Sequence, residues 1–153
     1  MTRVLLMAVL ALFAGGAAAS DGALDLGGRA GFDAQREQVL TDLADGESYA
    51  EISAEDRAQV LQALGRMERI LAGRQPGAVR PDERAALLTE QEKVNVILTG
   101  ARRDSRLVCT RERPVGTRMP TTVCRTVAER RRMTDDARQR MEAAGRGRAN
   151  TIL

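Results

Sequence analysis

Apolar residues recur at helical spacing in three stretches of this chain, and a fourth carries the period faintly. From Phe32 to Gly46, the side chains of Phe32, Val39, Leu40 and Leu43 fall on one stripe, with Asp33 placed to cap the start and Gly46 to stop the helix. Ser53-Ala-Glu-Asp56 has the form of a capping box, with Ile52 in the staple position before it. Val60, Leu61, Leu64, Met67, Ile70 and Leu71 follow at i, i+3 and i+4 spacing, and Gly73 ends the second helix before a turn at 75–79. A third helix opens at Pro81-Asp82-Glu83, where proline suits the first turn and carboxylates face the positive end of the dipole. It runs to about Arg103, with Leu87, Leu88, Gln91, Val94, Asn95, Leu98 and Ala101 on one face.

The pattern then changes. Leu107-Val-Cys-Thr110 and Thr121-Thr-Val-Cys124 are rich in β-branched residues and read as two antiparallel strands, a hairpin at about 106–126. Thr126-Val-Ala-Glu129 is a further capping box, so a last helix begins there and continues to about Ala144. Its apolar face is thin: Val127, Ala137, Met141 and Ala144. Residues 20–31 and 145–153 are glycine-containing and aperiodic, and read as a flexible leader and a flexible basic tail. The fold class expected is therefore mainly α (α+β): three to four amphipathic helices in one small domain, 32–144, with one hairpin before the last helix.

The first nineteen residues fall outside that reckoning. Met-Thr-Arg3 is a positive n-region, Val4 to Ala14 is unbroken apolar sequence, and Ala17-Ala18-Ala19 offers a small-residue cleavage site before Ser20. That is the form of a secretory signal peptide. Eleven residues at about 1.5 Å each span only about half of a ~30 Å hydrocarbon core, which disfavours a membrane anchor. No cysteine near the site suggests a lipid anchor, and no later segment has the length and apolarity to cross a bilayer. A periplasmic or secreted protein is the expectation.

Export changes the meaning of the two cysteines. In an oxidising compartment, Cys109 and Cys124 are expected to form one bridge. The loop it closes is about 16 residues, worth ~3 kcal/mol in the chain-entropy estimate. That matters because the mature chain holds only Phe32 and Tyr49 as aromatics and no Trp, so its core is small. A two-residue turn at Gly116-Thr117 would set the cysteines opposite each other, but on a hydrogen-bonded rung, and it would ask Pro120 for an N–H. A wider loop from about Pro114 to Pro120, or a bulge, fits better. A redox-active pair is the lesser alternative, since the close spacing of such motifs is missing, although nearby arginines would stabilise a thiolate.

Charge is divided unequally. Residues 20–101 hold 9 basic and 15 acidic side chains, whereas 102–153 hold 14 basic and 6 acidic. Arginine outnumbers lysine 23 to 1, which genome composition explains as readily as guanidinium chemistry. Arg111, Arg113, Arg118, Arg125, Arg130, Arg131 and Arg132 make a candidate anion-binding set on the hairpin and last helix. Nucleic acid is not expected, because stacking aromatics are missing and an exported chain seldom meets it. Phosphorylated or carboxylated envelope polymers, anionic lipid headgroups or another envelope protein are better partners. Pairing with the chain's own acidic half is the plainer reading of these charges.

Catalysis has little to draw on. With no histidine, the usual general base, the Ser-His and Cys-His pairs and the commonest metal ligand are all missing, and two cysteines do not complete a zinc site. Neither a phosphate-binding loop nor a nucleophile elbow occurs. Two carboxylates could still hydrolyse a glycoside, but none stands apart from helix surface. No cofactor or metal is expected. Gln91 and Asn95 form a buried polar pair in the third helix, where satisfaction by backbone or by each other outweighs a ligand role.

Tyr49-Ala-Glu-Ile-Ser-Ala-Glu-Asp-Arg57, Gln91-Glu-Lys-Val-Asn95, Cys109-Thr-Arg-Glu-Arg-Pro-Val-Gly-Thr117 and Val123-Cys-Arg-Thr-Val-Ala-Glu129 resemble a family of small, uncharacterised exported proteins of Gram-negative bacteria. The likeness covers roughly Ser48 to Met141, and its most specific part is Cys-x-Arg, Pro-x-Gly-[Ser/Thr], then Cys-x-Thr. Thr117 stands where serine is more usual. The resemblance implies a shared cysteine hairpin and no activity. Separately, Leu88-Thr-Glu-Gln91 is similar to the LTxxQ pattern of helical periplasmic chaperones, with the glutamine one residue early and no second copy. A non-catalytic interaction or structural module is thus the first expectation, and a chaperone or envelope-stress protein the second.

Overall fold

A computed structural model describes residues 23–28 and 31–149, the side chains of 146–149 aside. Its elements are α1 (Phe32–Asp45), α2 (Ala54–Leu71), a short 3-10 turn (Pro76–Ala78), α3 (Pro81–Ser105), β1 (Leu107–Glu112), β2 (Thr121–Thr126) and α4 (Val127–Ala149). The mainly helical architecture with a disulfide-closed hairpin before the last helix is the one expected. The signal peptide with its cleavage site, and residues 150–153 of the expected tail, lie outside the described residues.

Local chemistry sets the helix ends. Ser53 Oγ accepts the Asp56 N–H at 3.0 Å and donates to the Asp56 carboxylate at 2.8 Å, fixing the start of α2. Pro81 fills the first position of α3, and Glu83 accepts the Arg80 N–H at 3.0 Å. Two ends differ from the sequence pattern. Gly31, not Asp33, precedes α1, and Asp33 sits inside the first turn, where its charge favours the helix dipole without capping it. α4 also runs past Gly145 to Ala149, so the tail starts later than expected. Glycine stops a helix by turning left-handed, as Gly46 does at φ 72°. Gly145 keeps a negative φ, and inside a helix it costs only about 1 kcal/mol relative to alanine.

The core lies between α2 and α3, under α1. Arg66 meets Glu90 at 2.8 Å, and Arg74, just beyond α2, meets Glu83 at 3.2 Å, so α2 and α3 run antiparallel. Val60, Ala63, Leu64, Met67 and Leu71 of α2 are buried with Leu87, Val94, Leu98 and Ala101 of α3, and α1 adds Phe32, Val39 and Leu43. Leu61 and Leu88, which the periodicity places on the core stripes, are about half exposed. A sector of roughly 100° is all that a helix in so thin an assembly can cover. α4 is buried only near its beginning, at Ala128; Ala137, Met141 and Ala144 face solvent.

Part of the segment before α1 packs on the core. Residues 20–31 read as a loose leader, yet Leu24 is 1% exposed and belongs to the core. Asn95 holds its backbone on both sides: the Leu24 N–H donates to Asn95 Oδ1 at 2.6 Å, and Asn95 Nδ2 donates to the Leu24 carbonyl at 2.8 Å. Gln35 treats Asp25 in the same way, at 2.7 and 2.8 Å. Two side-chain amides thus stand in for a neighbouring strand. They give an aperiodic segment the backbone partners that composition alone did not promise.

Replacing Asn95 by alanine leaves both Leu24 backbone groups without these partners. The expected loss is about 2 kcal/mol in urea unfolding, together with new protease cleavage in 23–28. An unchanged midpoint with no new cleavage would show that the clamp carries no weight.

Candidate functional site

β1 and β2 pair antiparallel with Cys109 opposite Cys124. The chain reaches this register without the two faults of the short turn. The ladder ends at Glu112 and Thr121, so Pro120 falls in the loop 113–120 and owes no N–H to the sheet. At the other end, the Val127 N–H bonds the Arg106 carbonyl at 3.0 Å. With 106 and 127 on a hydrogen-bonded rung, 109 and 124, three rungs on, occupy a non-hydrogen-bonded one, where strands approach most closely. The two Cα atoms are 3.9 Å apart, and the disulfide closes there. Within the loop, the Thr117 N–H bonds the Pro114 carbonyl at 3.3 Å. Gly116 supplies the positive φ of 90° that the third position of a type II turn requires. The Thr117 hydroxyl accepts the Met119 N–H at 3.1 Å.

The alternation of the strands sorts their side chains. Val108, Thr110, Val123 and Arg125 are half-buried on one face. Leu107, Cys109, Arg111, Thr122 and Cys124 are exposed on the other, so the disulfide lies on the solvent side of the hairpin.

Glu51, from the segment joining α1 to α2, fixes the hairpin and α4 to the helical core. Its N–H donates to Ser105 Oγ at 2.9 Å, at the end of α3. Its carboxylate accepts from the Thr126 hydroxyl and from Arg132, the latter at 2.7 Å. Thr126 Oγ1 in turn accepts the Glu129 N–H at 3.0 Å, capping α4. Arg132 first, and Thr126 next, hold the Glu51 carboxyl below the ordinary glutamate range. No sequence motif marks Glu51 as a joint, because its partners lie 54 to 81 residues away. Arg102 is equally unmarked: it reaches Asp42 at 3.4 Å and lies over the Tyr49 ring at 5.4 Å.

The candidate arginines divide into two groups. Arg125 pairs with Glu112 at 2.6 Å, Arg131 with Asp104 at 3.1 Å and Arg132 with Glu51. Arg111, Arg113 and Arg118 are exposed and make no hydrogen bond or ion pair among the described residues. Arg130 makes no ion pair either, though its field helps Arg125 hold the Glu112 carboxyl low. Gln91 and Asn95 do not bond each other. Both are half-buried rather than buried; Asn95 serves Leu24, and Gln91 Oε1 has no partner.

Two open grooves border α3. One of about 610 Å³ runs along Glu47, Ser48, Arg102, Arg103 and Arg106. The other, about 730 Å³, follows Leu88, Gln91, Asn95, Val96 and Thr99 on the outer face. Each carries a single carboxylate, Glu47 or Glu92, whereas a smaller groove between the start of α1 and the end of α2 is lined by two, Asp33 and Glu68. Among the described residues, each carboxylate with a displaced pKa, Asp45, Glu51, Glu83, Glu90 and Glu112, is lowered. A carboxyl acting as general acid near neutrality would need the opposite shift. No cluster of His, Cys, Asp and Glu suited to a metal ion occurs among the described residues. Comparison with known proteins finds no matching family model, no similar curated protein and no similar solved structure.

Because the folded Glu51 carboxyl is held low, its contribution is present above the unfolded value of about 4.3 and is lost as pH falls through the folded one. Glu51→Gln is expected to cost about 1 kcal/mol at pH 7, and the gap between wild type and variant should close in unfolding titrations below about pH 4. A gap that persists at low pH contradicts the ion-paired joint. Reduction, or the Cys109→Ser and Cys124→Ser double variant, should cost ~3 kcal/mol or somewhat less, since the bridge is exposed. Identical urea midpoints with and without reductant would contradict its role as a clip.

Proposed function

We propose that this is a non-catalytic exported protein, periplasmic or secreted, whose disulfide-clipped, arginine-rich hairpin holds an anionic component of the cell envelope. One observation carries the reading. The basic cluster is only partly neutralised: Arg125, Arg131 and Arg132 are spent on the chain's own carboxylates, while Arg111, Arg113 and Arg118 are exposed on one strand and its loop, with no ion partner among the described residues. The likeness to small exported proteins with a Cys-x-Arg…Pro-x-Gly-[Ser/Thr]…Cys-x-Thr hairpin agrees with it, and so does the amino-terminal signal pattern.

A second reading, a helical periplasmic chaperone, draws on one feature. Leu88 and Val96 are 53% and 66% exposed along the outer groove of α3, an apolar strip that could meet an unfolded client. Suppression of client aggregation by the purified protein, lost in Leu88→Ser with Val96→Ser, would favour it.

For the first reading, the mature disulfide-bonded chain is passed over an immobilised anionic polymer at rising salt. Wild type should be retained at low salt and released as salt screens the contacts. Arg111→Gln, Arg113→Gln and Arg118→Gln together should abolish retention without changing stability, whereas Arg131→Gln should leave it nearly intact. Failure of wild type to be retained at low salt would overturn the proposal.

A further inference from the structure

Resting on that reading of the arginines, we propose that the partner is the surface of an anionic bilayer. Val115 and Met119 enter its outermost apolar layer while Arg111, Arg113 and Arg118 take the lipid phosphates. Val115 is fully exposed and Met119 is 77% exposed, both in the loop 113–120. Of the eight large hydrophobic side chains exposed among the described residues, these two are the most exposed, and they share the loop with Arg113 and Arg118, next to Arg111 on β1.

The sequence of layers decides between classes of anion. A soluble polyanion would use the guanidinium groups and have nothing to offer Val115 or Met119. A lipid leaflet presents negative charge at the surface and hydrocarbon just below it, and an element with both kinds of side chain matches that order. From Arg113 to Ala128 the chain contains no acidic residue, so nothing on the tip repels an anionic surface. The nearest carboxylate, Glu112, is neutralised by Arg125 at 2.6 Å. The loop is also held in advance by the disulfide, by the Pro114–Thr117 turn and by the Thr117–Met119 bond, so little ordering remains to be done on contact. No described helix is long and apolar enough to cross a membrane, so the association is peripheral.

The chain has no tryptophan, which makes Val115→Trp a clean reporter. Its emission should shift to the blue with vesicles of phosphatidylglycerol in phosphatidylcholine, and should stay unshifted with phosphatidylcholine alone or with soluble polyglutamate. In co-sedimentation, Val115→Ser with Met119→Ser should weaken binding to the anionic vesicles about tenfold and leave polyglutamate binding unchanged. Each arginine-to-glutamine change should weaken vesicle binding about fivefold. If polyglutamate binds but the emission of the Val115→Trp variant stays unshifted on anionic vesicles, insertion is wrong and the anion reading stands. If neither vesicles nor polyglutamate bind, both fail.

Discussion

The carboxylate of Glu51 ties the hairpin and α4 to the helical core, beside the Arg131–Asp104 pair at 3.1 Å. α4 and the hairpin share little apolar contact with the core, and Ala128 is the one fully buried hydrophobic residue they contribute among those described. What fixes them is polar. One residue binds the end of α3 through its backbone, and the cap of α4 and the third arginine of the 130–132 run through its side chain. The Glu51 side chain is 16% exposed and the residue's bonds to Ser105 and Thr126 are partly sheltered, whereas Arg132 is 62% exposed and that ion pair opens to solvent. These bonds help set which way the hairpin faces, and through it the direction of the free arginines.

The same frugality runs through the rest of the molecule. Leucine, valine and methionine fill the seam between α2 and α3, with Phe32 and Tyr49 supplying the only large rings among the described residues. Arginine–carboxylate pairs knit the rim: Arg36 to Glu68, Arg66 to Glu90, Arg74 to Glu83 and Arg102 to Asp42. Individually such pairs contribute little in water. They occupy Asp42, Glu68, Glu83 and Glu90, and Arg111, Arg113 and Arg118 of the hairpin make no ion pair among the described residues.

Much of the architecture is legible in the sequence alone. The 3.6-residue period and the caps at Ser53, Pro81 and Thr126 locate three helix starts, because those signals act over one turn of chain. The hairpin is legible from β-branched flanks and paired cysteines. Its rung phase is not, since that depends on where the ladder starts, at the Val127–Arg106 bond, rather than on the turn. Leu24 is invisible to such reading because two leucines in a short glycine-rich segment make no helical period, and Asn95, 71 residues away, holds its backbone against the core. The arginine cluster is legible as a set, but its division is not. Whether a guanidinium is spent or free depends on Asp104, Glu112 and Glu51, whose proximity is a tertiary fact.

Amide hydrogen exchange tests most directly whether Glu51 ties the hairpin and α4 to the helical core. Three amides report on the joint: Glu51 bonded to Ser105, Val127 to Arg106 and Glu129 to Thr126. If the joint holds, all three are protected together, near the level of the α2 and α3 amides, and lose protection together when Glu51 is replaced by glutamine. Free exchange at Val127 and Glu129 in the wild type, with α2 and α3 still protected, would contradict it.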